Sequence, residues 1–388
     1  MKLLYIQYAG DFAEAYDRLI KNNGKENYYG QRYSVNTVVQ QARNNIKVMV
    51  LVLNTQGYRA DLEKNLISVG LNKTEFDYKV VQSEILDFSP DATILRCPDY
   101  KILRILRKNR INTFPVFADS FEKIPVWKIR RQFRKIMLAR ELKNKSIKWV
   151  SNHQLNASRS LQNIGVNANK ILPYDWEHSD NPSNWKKNIP NNLPNKTLVI
   201  FYAGSISISK GIFDLVTAAK EMRNSGKEFI IKIAGKGEID KLLRLSKELG
   251  VFDQIEVLGL INHDDVLSNM NKADVVIVPS HHAYPEGLPM TIMESLMVHT
   301  PVIASDHPMF VGRVGLRGSV VFFREKDAKD LCDKVLSTCN DLGHYKKMSS
   351  NAKLEWMDLN LKLKWAEMIN KWISNPAADF SQHTLEHF

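Results

Sequence analysis

The sequence has few cysteines and no long apolar run, and each absence excludes a class of protein. Its 388 residues include only three cysteines, Cys97, Cys332 and Cys339, and no C-x-x-C pair. This usage excludes a disulfide scaffold and a cysteine-based zinc site, and it is typical of a reducing compartment such as the cytoplasm. No apolar stretch approaches the ~20 residues of a transmembrane helix. Residues 2–9 predict a first buried strand and not a signal peptide.

The composition is that of a globular protein with one strongly basic segment. Hydrophobic residues make up 44% of the chain and charged residues 25%, and a chain of this length predicts two domains. The formal net charge is +12, and residues 101–148 alone hold 15 Lys/Arg against 3 Asp/Glu. The rest of the chain is therefore neutral overall, and we expect this segment to meet an anionic partner.

Within the basic segment, residues 126–143 have the pattern of an amphipathic helix. Apolar side chains recur on one helical face, and the cations Arg130, Arg131, Arg134 and Lys135 lie off it. This pattern is typical of a helix on an anionic membrane surface; a basic face over an ordinary core stripe is the alternative. The sequence has no nucleic-acid-binding module and no interleaved stacking aromatics, so we expect no nucleic-acid partner.

Strand-like and helix-like segments alternate along the chain, which predicts an α/β protein with parallel sheets. A stretch rich in Asn, Pro, Ser and Lys covers about 175–196 and predicts a linker. We therefore predict an N-terminal domain over 1–190 and a C-terminal domain over 197–352. The end of the chain is predicted as an amphipathic helix over 353–374 and a loose polar tail over 375–388.

Two glutamates flank the start of a predicted helix in the second domain. Residues 273–279 predict a buried strand, and a polar loop then leads to Glu286 and to a helix that starts near Pro289 and carries Glu294. The free N–H groups and the dipole of a helix N-terminus form an anion site. The glutamates lie about 12 Å apart along a helix, which is too far for the carboxyl pair of a glycosidase. The nearby His281-His282 has no acidic or cysteine partner at ligand spacing, so we predict no metal site.

Small residues and a lysine follow the first strand of the same domain. A Gly/Ser loop over 204–209 leads to Lys210 and Gly211 and then to an amphipathic helix. Backbone N–H groups and hydroxyls of such a loop can hold phosphate oxygens, while the lysine supplies a charge. The glycine spacing is not that of a Walker A loop. Gly235 begins a second Gly-x-Gly turn, which suits a close backbone approach to a ligand.

Candidate residues are fewer in the first domain. Asp119 follows a predicted strand, at the edge where open α/β sheets bind ligands. Its carboxylate can accept a hydrogen bond from a hydroxyl or act as a base, and a helix N-cap or loop acid is the alternative. Gly30 and Arg32 lie directly before a predicted helix. Gly30 either lies in a turn that approaches a ligand or is an ordinary loop glycine before a helix.

The motifs around the two glutamates resemble those of a known family. The runs EGLPM from position 286, MESL from 293 and TPVIAS from 300 are similar to the glutamate–seven–glutamate signature of family 4 (GT4) retaining glycosyltransferases. The resemblance implies the GT-B fold, in which two facing Rossmann-like domains enclose a cleft and the final helix returns to the first domain. It also implies transfer of a sugar, with retained configuration, from a nucleotide-diphosphate sugar, most often a UDP-sugar, to an acceptor hydroxyl.

The resemblance assigns roles to residues of this chain. Glu286 would act on the donor sugar, Glu294 on the ribose and Lys210 on the diphosphate, without a metal or other cofactor. The donor site implied by the family comprises Gly204, Ser205, Lys210, Gly211, Gly235, Ile261, Glu286, Gly287, Leu288, Pro289, Met290 and Glu294. Gly30 and Arg32 would lie on the acceptor side, near Asp119. Many relatives use lipid-linked acceptors, which implies polysaccharide or glycolipid synthesis and peripheral attachment to the inner face of the plasma membrane.

The sequence departs from the family at two of these positions. Ser205 stands where an arginine usually contacts the diphosphate, and Asp119 stands where many members have a histidine. Two alternatives to a glycosyltransferase stay open, and these departures motivate the second of them. One is a nucleotide-sugar epimerase on the same fold, and the other is a non-catalytic, membrane-associated protein that binds nucleotide-sugars.

Overall fold

A computed structural model describes residues 1–8, 10–21, 31–72, 77–121, 129–178 and 180–388. The described residues divide into two compact units. The first unit contains the chain up to Glu177 together with Leu361–Phe388, and the second contains His178–Asn360. Each unit is built on its own mainly parallel sheet, as the alternation of strands and helices predicts.

The first unit has eight described strands in one sheet. They are β1 (Lys2–Gln7), β2 (Lys47–Thr55), β3 (Tyr58–Glu63), β4 (Leu66–Asn72), β5 (Ala92–Leu95), β6 (Asn112–Phe117), β7 (Val150–His153) and β8 (Ile171–Tyr174). The spatial order is β3-β4-β2-β1-β5-β6-β7-β8, and all neighbours are parallel except β3 and β4. The central strands are nearly continuous apolar runs because helices cover both faces of the sheet.

Helices on the two faces of this sheet enclose two apolar cores. These helices are α1 (Phe12–Lys21), α2 (Gln31–Arg43), α3 (Tyr78–Phe88), α4 (Tyr100–Lys108), α5 (Ile129–Leu142), α6 (Leu155–Asn163) and, from the end of the chain, the helix Trp365–Ser374. Local sequence determines where several of these helices begin. For example, the Asp99 carboxylate accepts the backbone N–H groups of Lys101 and Ile102, which caps α4.

The second unit has six strands in a fully parallel sheet. They are β9 (Leu198–Ala203), β10 (Phe229–Ala234), β11 (Ile255–Gly259), β12 (Val275–Val278), β13 (Val302–Ser305) and β14 (Val320–Phe323). The spatial order is β11-β10-β9-β12-β13-β14, which is the doubly wound order of a Rossmann-like domain. The helices are α7 (Ile212–Asn224), α8 (Ile239–Glu248), α9 (His263–Lys272), α10 (Met290–Met297), α11 (Ala328–Asn340) and α12 (Leu342–Leu359); the helix Trp365–Ser374 is α13.

Two details differ from the sequence predictions, and a third prediction is not tested. Helix α1 precedes the helix predicted after Gly30 and Arg32, so Gly10, with φ of 75°, lies between β1 and the first helix. Gly30 lies outside the described residues. Residues 353–374 are not one helix, because α12 ends at Leu359 in the second unit and α13 begins at Trp365 in the first.

The predicted loose tail is also wrong. After α13 the chain forms two short 3-10 turns, and Ala378, Phe380 and Leu385 are buried in the cores of the first unit. The carbonyl of Ala378 accepts the indole N–H of Trp149 at 3.0 Å. The apolar residues are isolated within a polar segment, so no periodic pattern signals their burial.

Candidate functional site

The second sheet has a point where its strand order reverses, between β9 and β12. These two strands are neighbours, yet the chain leaves β9 for β10 on one side and β12 for β13 on the other. The connections after β9 and β12 therefore diverge and leave a crevice at the carboxyl ends of the strands, where open α/β sheets bind ligands. Most of the donor-site residues predicted from the sequence lie on these connections.

The connection after β9 is held close to the connection after β10 by backbone contacts. The Ile206 N–H donates to the Lys236 carbonyl at 2.8 Å, and the Glu238 N–H donates to the Ile206 carbonyl at 2.8 Å. A Cβ on Gly235 would overlap the carbonyl oxygen of Gly204, and Gly235 has φ of 151°. Glycine is therefore required here, and the predicted turns at 204 and 235 form one surface.

The connection after β9 ends at Gly211, and this glycine packs against the chain at the end of β12. Gly211 has φ of 69°, and a Cβ there would overlap the carbonyl oxygen of Pro279. The His281 N–H also donates to the Ser209 carbonyl at 3.0 Å. The loops after β9 and β12 are thus joined at the backbone, and Lys210 lies at the junction.

Lys210 and Glu286 form an ion pair across this junction. The Lys210 ammonium group contacts Glu286 Oε1, and the Ser280 hydroxyl donates to the same oxygen at 2.7 Å. The Lys210 Nζ also lies 4.2 Å from the centroid of the Tyr284 ring, within the range of a cation–π contact. The structure therefore brings together the two residues to which the sequence assigned the diphosphate and the donor sugar.

Histidines anchor the loop that carries Glu286. His281 Nε2 lies 2.6 Å from Asp214 Oδ2 on α7, and His282 Nε2 lies 2.7 Å from Asp306 Oδ1. His307 Nε2 lies 3.0 Å from the carbonyl oxygen of Tyr284. These contacts reach α7 and the segment after β13, so they hold the loop from two sides. His281 and His282, for which the sequence predicts no metal site, have contacts that anchor the loop.

The predicted helix after Glu286 is α10. It begins at Met290, with Pro289 in extended conformation as its N-cap, and the preceding Leu288 is buried. The Thr291 hydroxyl donates to the carbonyl of Ala203 at 3.3 Å, which places the first turn of α10 at the end of β9. The N-terminus of α10 is therefore at the reversal point, as the anion-site prediction requires.

Glu294 has a different environment from Glu286. It lies in the second turn of α10 and is buried, and its Oε1 is 2.8 Å from His263 Nε2 at the start of α9. Ile261 lies in the loop before His263 and is half-buried. The two glutamates thus contact separate partners, which agrees with separate roles and not with a carboxyl pair.

Asp119 lies at the carboxyl end of β6 in the first unit and is buried. The Tyr8 hydroxyl, just after β1, donates to Asp119 Oδ1. Burial raises the pKa of the Asp119 carboxyl to about 6, although the hydrogen bond from Tyr8 opposes the rise. Arg32 is exposed near the start of α2, and the predicted role of Gly30 falls outside the described residues.

Helix α5 exposes part of the apolar face that the sequence predicts. Phe133 is 55% exposed and Ile136 is 61% exposed, whereas the buried apolar residues of the helix are Leu138, Ala139 and Leu142. Arg130 and Arg134 are exposed and Lys135 is half-buried; the side chain of Arg131 lies outside the described residues. The alternative of an ordinary core stripe is therefore wrong for Phe133 and Ile136.

Sequence reasoning missed several residues of the site. Ser280, Tyr284 and His263 contact the predicted functional residues directly, as Tyr8 contacts Asp119. The position of Ser280 directly after a buried strand is a signal that could have identified it. Tyr8, directly after β1, has the same signal. His263 has none, because the tertiary fold brings it to Glu294.

Two features, a metal cluster and a membrane-spanning helix, are absent from the described residues. These residues include no group of three or more His, Cys, Asp or Glu side chains placed to hold a metal ion. None of the helices in the described part of the chain is long and apolar enough to cross a membrane.

Comparison with solved structures assigns the fold to a known class. Sucrose-phosphate synthase from Thermosynechococcus elongatus aligns with a TM-score of 0.67 at 14% identity, over 97% of this chain and 99% of that one. HepE from Anabaena, solved with UDP and glucose, aligns with a TM-score of 0.64 at 14% identity over the same shares. The chain therefore has the GT-B fold, which confirms the predicted fold class.

Sequence comparison adds the kind of chemistry. Residues 183–355 match the family model "Glycosyl transferases group 1". An uncharacterized glycosyltransferase of Methanocaldococcus jannaschii is 25% identical over 47% of this chain and 54% of its own length. Alpha-D-kanosaminyltransferase of Streptomyces kanamyceticus is 27% identical over 28% of each chain. The chain thus spans about half or less of the length of these relatives. The comparisons support a likeness to the GT-B glycosyltransferases and a role in sugar transfer.

Proposed function

We propose that this chain is a GT4-type retaining glycosyltransferase that moves a sugar from a nucleotide-diphosphate sugar to an acceptor hydroxyl. The observation that carries the proposal is the pairing of Lys210 with Glu286 at the reversal point of the second sheet. One cation and one carboxylate there lie beside the N-terminus of α10. This arrangement of a cation, a carboxylate and a helix N-terminus suits a ligand in which an anionic diphosphate is joined to a neutral, hydroxyl-rich sugar.

In this proposal, Lys210 and Glu286 exchange partners when the donor binds. A diphosphate oxygen would take the place of Glu286 on the Lys210 ammonium group, and a sugar hydroxyl would donate to the carboxylate thus released. As the bond between the sugar and the diphosphate breaks, the departing oxygens gain negative charge. Lys210 and the backbone N–H groups of Gly287 and Leu288 would stabilise this charge, in the manner of preorganised donors.

The remaining donor contacts follow from the same placement. Glu294 would accept hydrogen bonds from the ribose hydroxyls, and the loop at Ile261 would pack on the base. HepE binds UDP and UDP-glucose, which supports a UDP-sugar as the donor for this chain. The loop over 204–209 would offer its N–H groups and hydroxyls to the diphosphate, with Ser205 in the place of a cation.

The acceptor would meet the first unit. Asp119 and the Tyr8 hydroxyl form a polar pair at the carboxyl end of the sheet, where the carboxylate can accept the proton of an acceptor hydroxyl. Since the acceptor oxygen bonds to the sugar as the diphosphate leaves, that proton must go to a nearby base. Asp119 and the departing phosphate oxygen are the two candidates, and Arg32 would help to hold the acceptor. We propose a glycan or a lipid-linked sugar as the acceptor, in polysaccharide or glycolipid synthesis.

Helix α5 would place the chain on a membrane surface that carries such an acceptor. It exposes Phe133 and Ile136 next to Arg130 and Arg134, a combination of inserting apolar groups and cations that suits anionic lipid. Charge reversal at Arg130 and Arg134 should reduce binding to phosphatidylglycerol vesicles and leave binding to neutral phosphatidylcholine vesicles unchanged. Reversal of the exposed Lys346 and Lys347 on α12 is the matched control; equal losses in both variants would remove α5 from the proposal.

Incubation with labelled nucleotide-sugars and a lipid extract tests the proposed activity. A glycosyltransferase moves the label into the lipid fraction. An epimerase on the same fold converts the soluble sugar without an acceptor, and a binding protein changes neither. Glu286→Gln should abolish transfer, while Glu248→Gln, at an exposed position of α8, should retain it. Soluble conversion or unchanged label would contradict the proposal.

A further inference from the structure

His263 connects two parts of the proposed donor site. It is the first residue of α9 and directly follows the loop that carries Ile261, after β11. Its Nε2 lies 2.8 Å from Oε1 of Glu294, in the second turn of α10. Both side chains are buried, with 8% and 7% of their surfaces exposed. The contact therefore joins the loop on the base side to the carboxylate on the ribose side.

The chemistry of the pair assigns the proton. An ionised carboxylate has no proton to donate, so the imidazole Nε2 must carry the hydrogen and donate it to Oε1. The hydrogen bonds within the described part of the chain include none to the second oxygen, Oε2. That oxygen retains its full capacity to accept hydrogen bonds, and its direction is set by the bond that His263 makes to the other oxygen.

A glutamate side chain has three rotatable bonds, and ordering it at the moment of binding reduces affinity. A carboxylate that is already held by one oxygen avoids this cost. We propose that His263 is a positioning residue that fixes Glu294 so that its free Oε2 receives the ribose hydroxyls of the donor nucleotide. The inference rests on the proposed function, because it takes Glu294 as the ribose contact.

Variants of different length test the geometry. His263→Gln retains a donor that can reach Glu294, because its amide nitrogen corresponds to Nε2. His263→Asn retains an amide that is one bond too short, and His263→Leu keeps the bulk without a donor. His344→Asn, at an exposed position on α12, is the matched control. The Asn variant still decides the question if the buried Leu variant does not fold.

The readout is a ratio of affinities, which a merely structural role would not change. The wild-type protein is titrated with UDP, GDP, ADP and CDP, and the nucleotide that binds most tightly is compared with its 2′,3′-dideoxy form. We expect the ribonucleotide to bind more tightly in the wild type, in His263→Gln and in His344→Asn. In His263→Asn and His263→Leu the ribonucleotide should bind about tenfold or more weakly, while affinity for the dideoxy form stays nearly constant.

Each outcome has a separate meaning. A preserved ratio in the Asn and Leu variants, with both nucleotides weakened equally or not at all, would overturn the positioning role alone. A ratio near one in the wild type would overturn the ribose role of Glu294 and this inference with it. Failure of the wild type to bind any of the four nucleotides would overturn the proposed function itself.

Discussion

At the scale of single residues, Asp119 combines burial with a position at the carboxyl end of a parallel strand. Its carboxyl is at the end of β6, is nearly inaccessible, and accepts a hydrogen bond from Tyr8. Because burial raises its pKa to about 6, the folded protein holds a proton there more tightly than the unfolded chain does. Stability due to this group is therefore greatest below the unfolded pKa near 4 and falls as pH rises towards 6.

The first prediction concerns Asp119→Asn. Above pH 6 the wild type must bury a charge, and the shift corresponds to roughly 3 kcal/mol. The neutral amide avoids this cost, so the variant should melt at a higher temperature than the wild type at pH 7.5. At pH 4.5 the folded wild type is protonated at Asp119 and most of the cost is gone, so the difference in melting temperature should be clearly smaller; it should disappear only below the unfolded pKa near 4. A constant difference at both values, measured by calorimetry, would show that Asp119 is not held as described.

Single residues also show which parts of the site a sequence can reveal. Glu286 and Lys210 follow predicted strands and Glu294 lies in a predicted helix, so their local context made them candidates. Their partners His263 and Tyr284 could not be found in this way. Each pairing depends on how separate strand–helix units pack in space. The distance between the two paired side chains cannot be predicted from the local sequence around either one.

At the scale of elements, the connection between β9 and α7 depends on Gly211. Two separate constraints act on it, a positive φ of 69° and the contact with the Pro279 carbonyl. The φ alone costs a non-glycine residue about 1 kcal/mol. The contact adds to this because backbone, not a flexible side chain, must move.

The second prediction compares Gly211→Ala with Gly226→Ala. Gly226 has φ of 75° and nothing within 4 Å of an added Cβ, so it is subject to the backbone cost without the contact. Gly211→Ala should destabilise the second unit by an additional amount, on the order of 1–3 kcal/mol, and should weaken nucleotide binding. Denaturant unfolding and nucleotide titration of both variants provide the check. Equal effects of the two substitutions would mean that the loops after β9 and β12 are not packed together.

Elements were predicted best where the hydrophobic pattern was long and regular. The buried strands and the helix after Glu286 follow from their composition. The helix α1 and the pair β3 and β4 were not predicted. The strand β3 has no fully buried residue, so it lacks the long apolar run that identifies the central strands. In α5, the apolar stripe was recognised, but sequence could not tell whether core or solvent faces it.

At the scale of the whole molecule, the end of the chain belongs to the first unit. Residues after α12 return to it, and Phe380 is fully buried with its ring centroid 5.9 Å from that of Trp149. The polar composition of this segment concealed its packing. Three buried apolar side chains anchor it, Ala378, Phe380 and Leu385, and such isolated anchors leave no periodic signal in the sequence.

The third prediction uses two phenylalanines of this segment. Phe380→Ala should destabilise the first unit by about 3–5 kcal/mol, because a buried aromatic ring is lost from the core. Phe388→Ala, at a residue that is 55% exposed, should change stability by less than about 0.5 kcal/mol. Calorimetry of the intact chain measures both changes. Similar small effects in both variants would contradict this packing and support the loose tail that the sequence predicted.

The fourth prediction tests the donor site itself, by calorimetric titration of UDP, GDP, ADP and CDP into the wild-type chain and into Lys210→Met. The methionine keeps the apolar stem beside Tyr284 and removes the charge. Wild type should bind at least one of the nucleotides, and Lys210→Met should bind it about tenfold or more weakly, since a charged hydrogen bond contributes about 1.5–3 kcal/mol. Equal affinity in the two proteins, or no binding by the wild type, would contradict a nucleotide-sugar site at this point of the sheet.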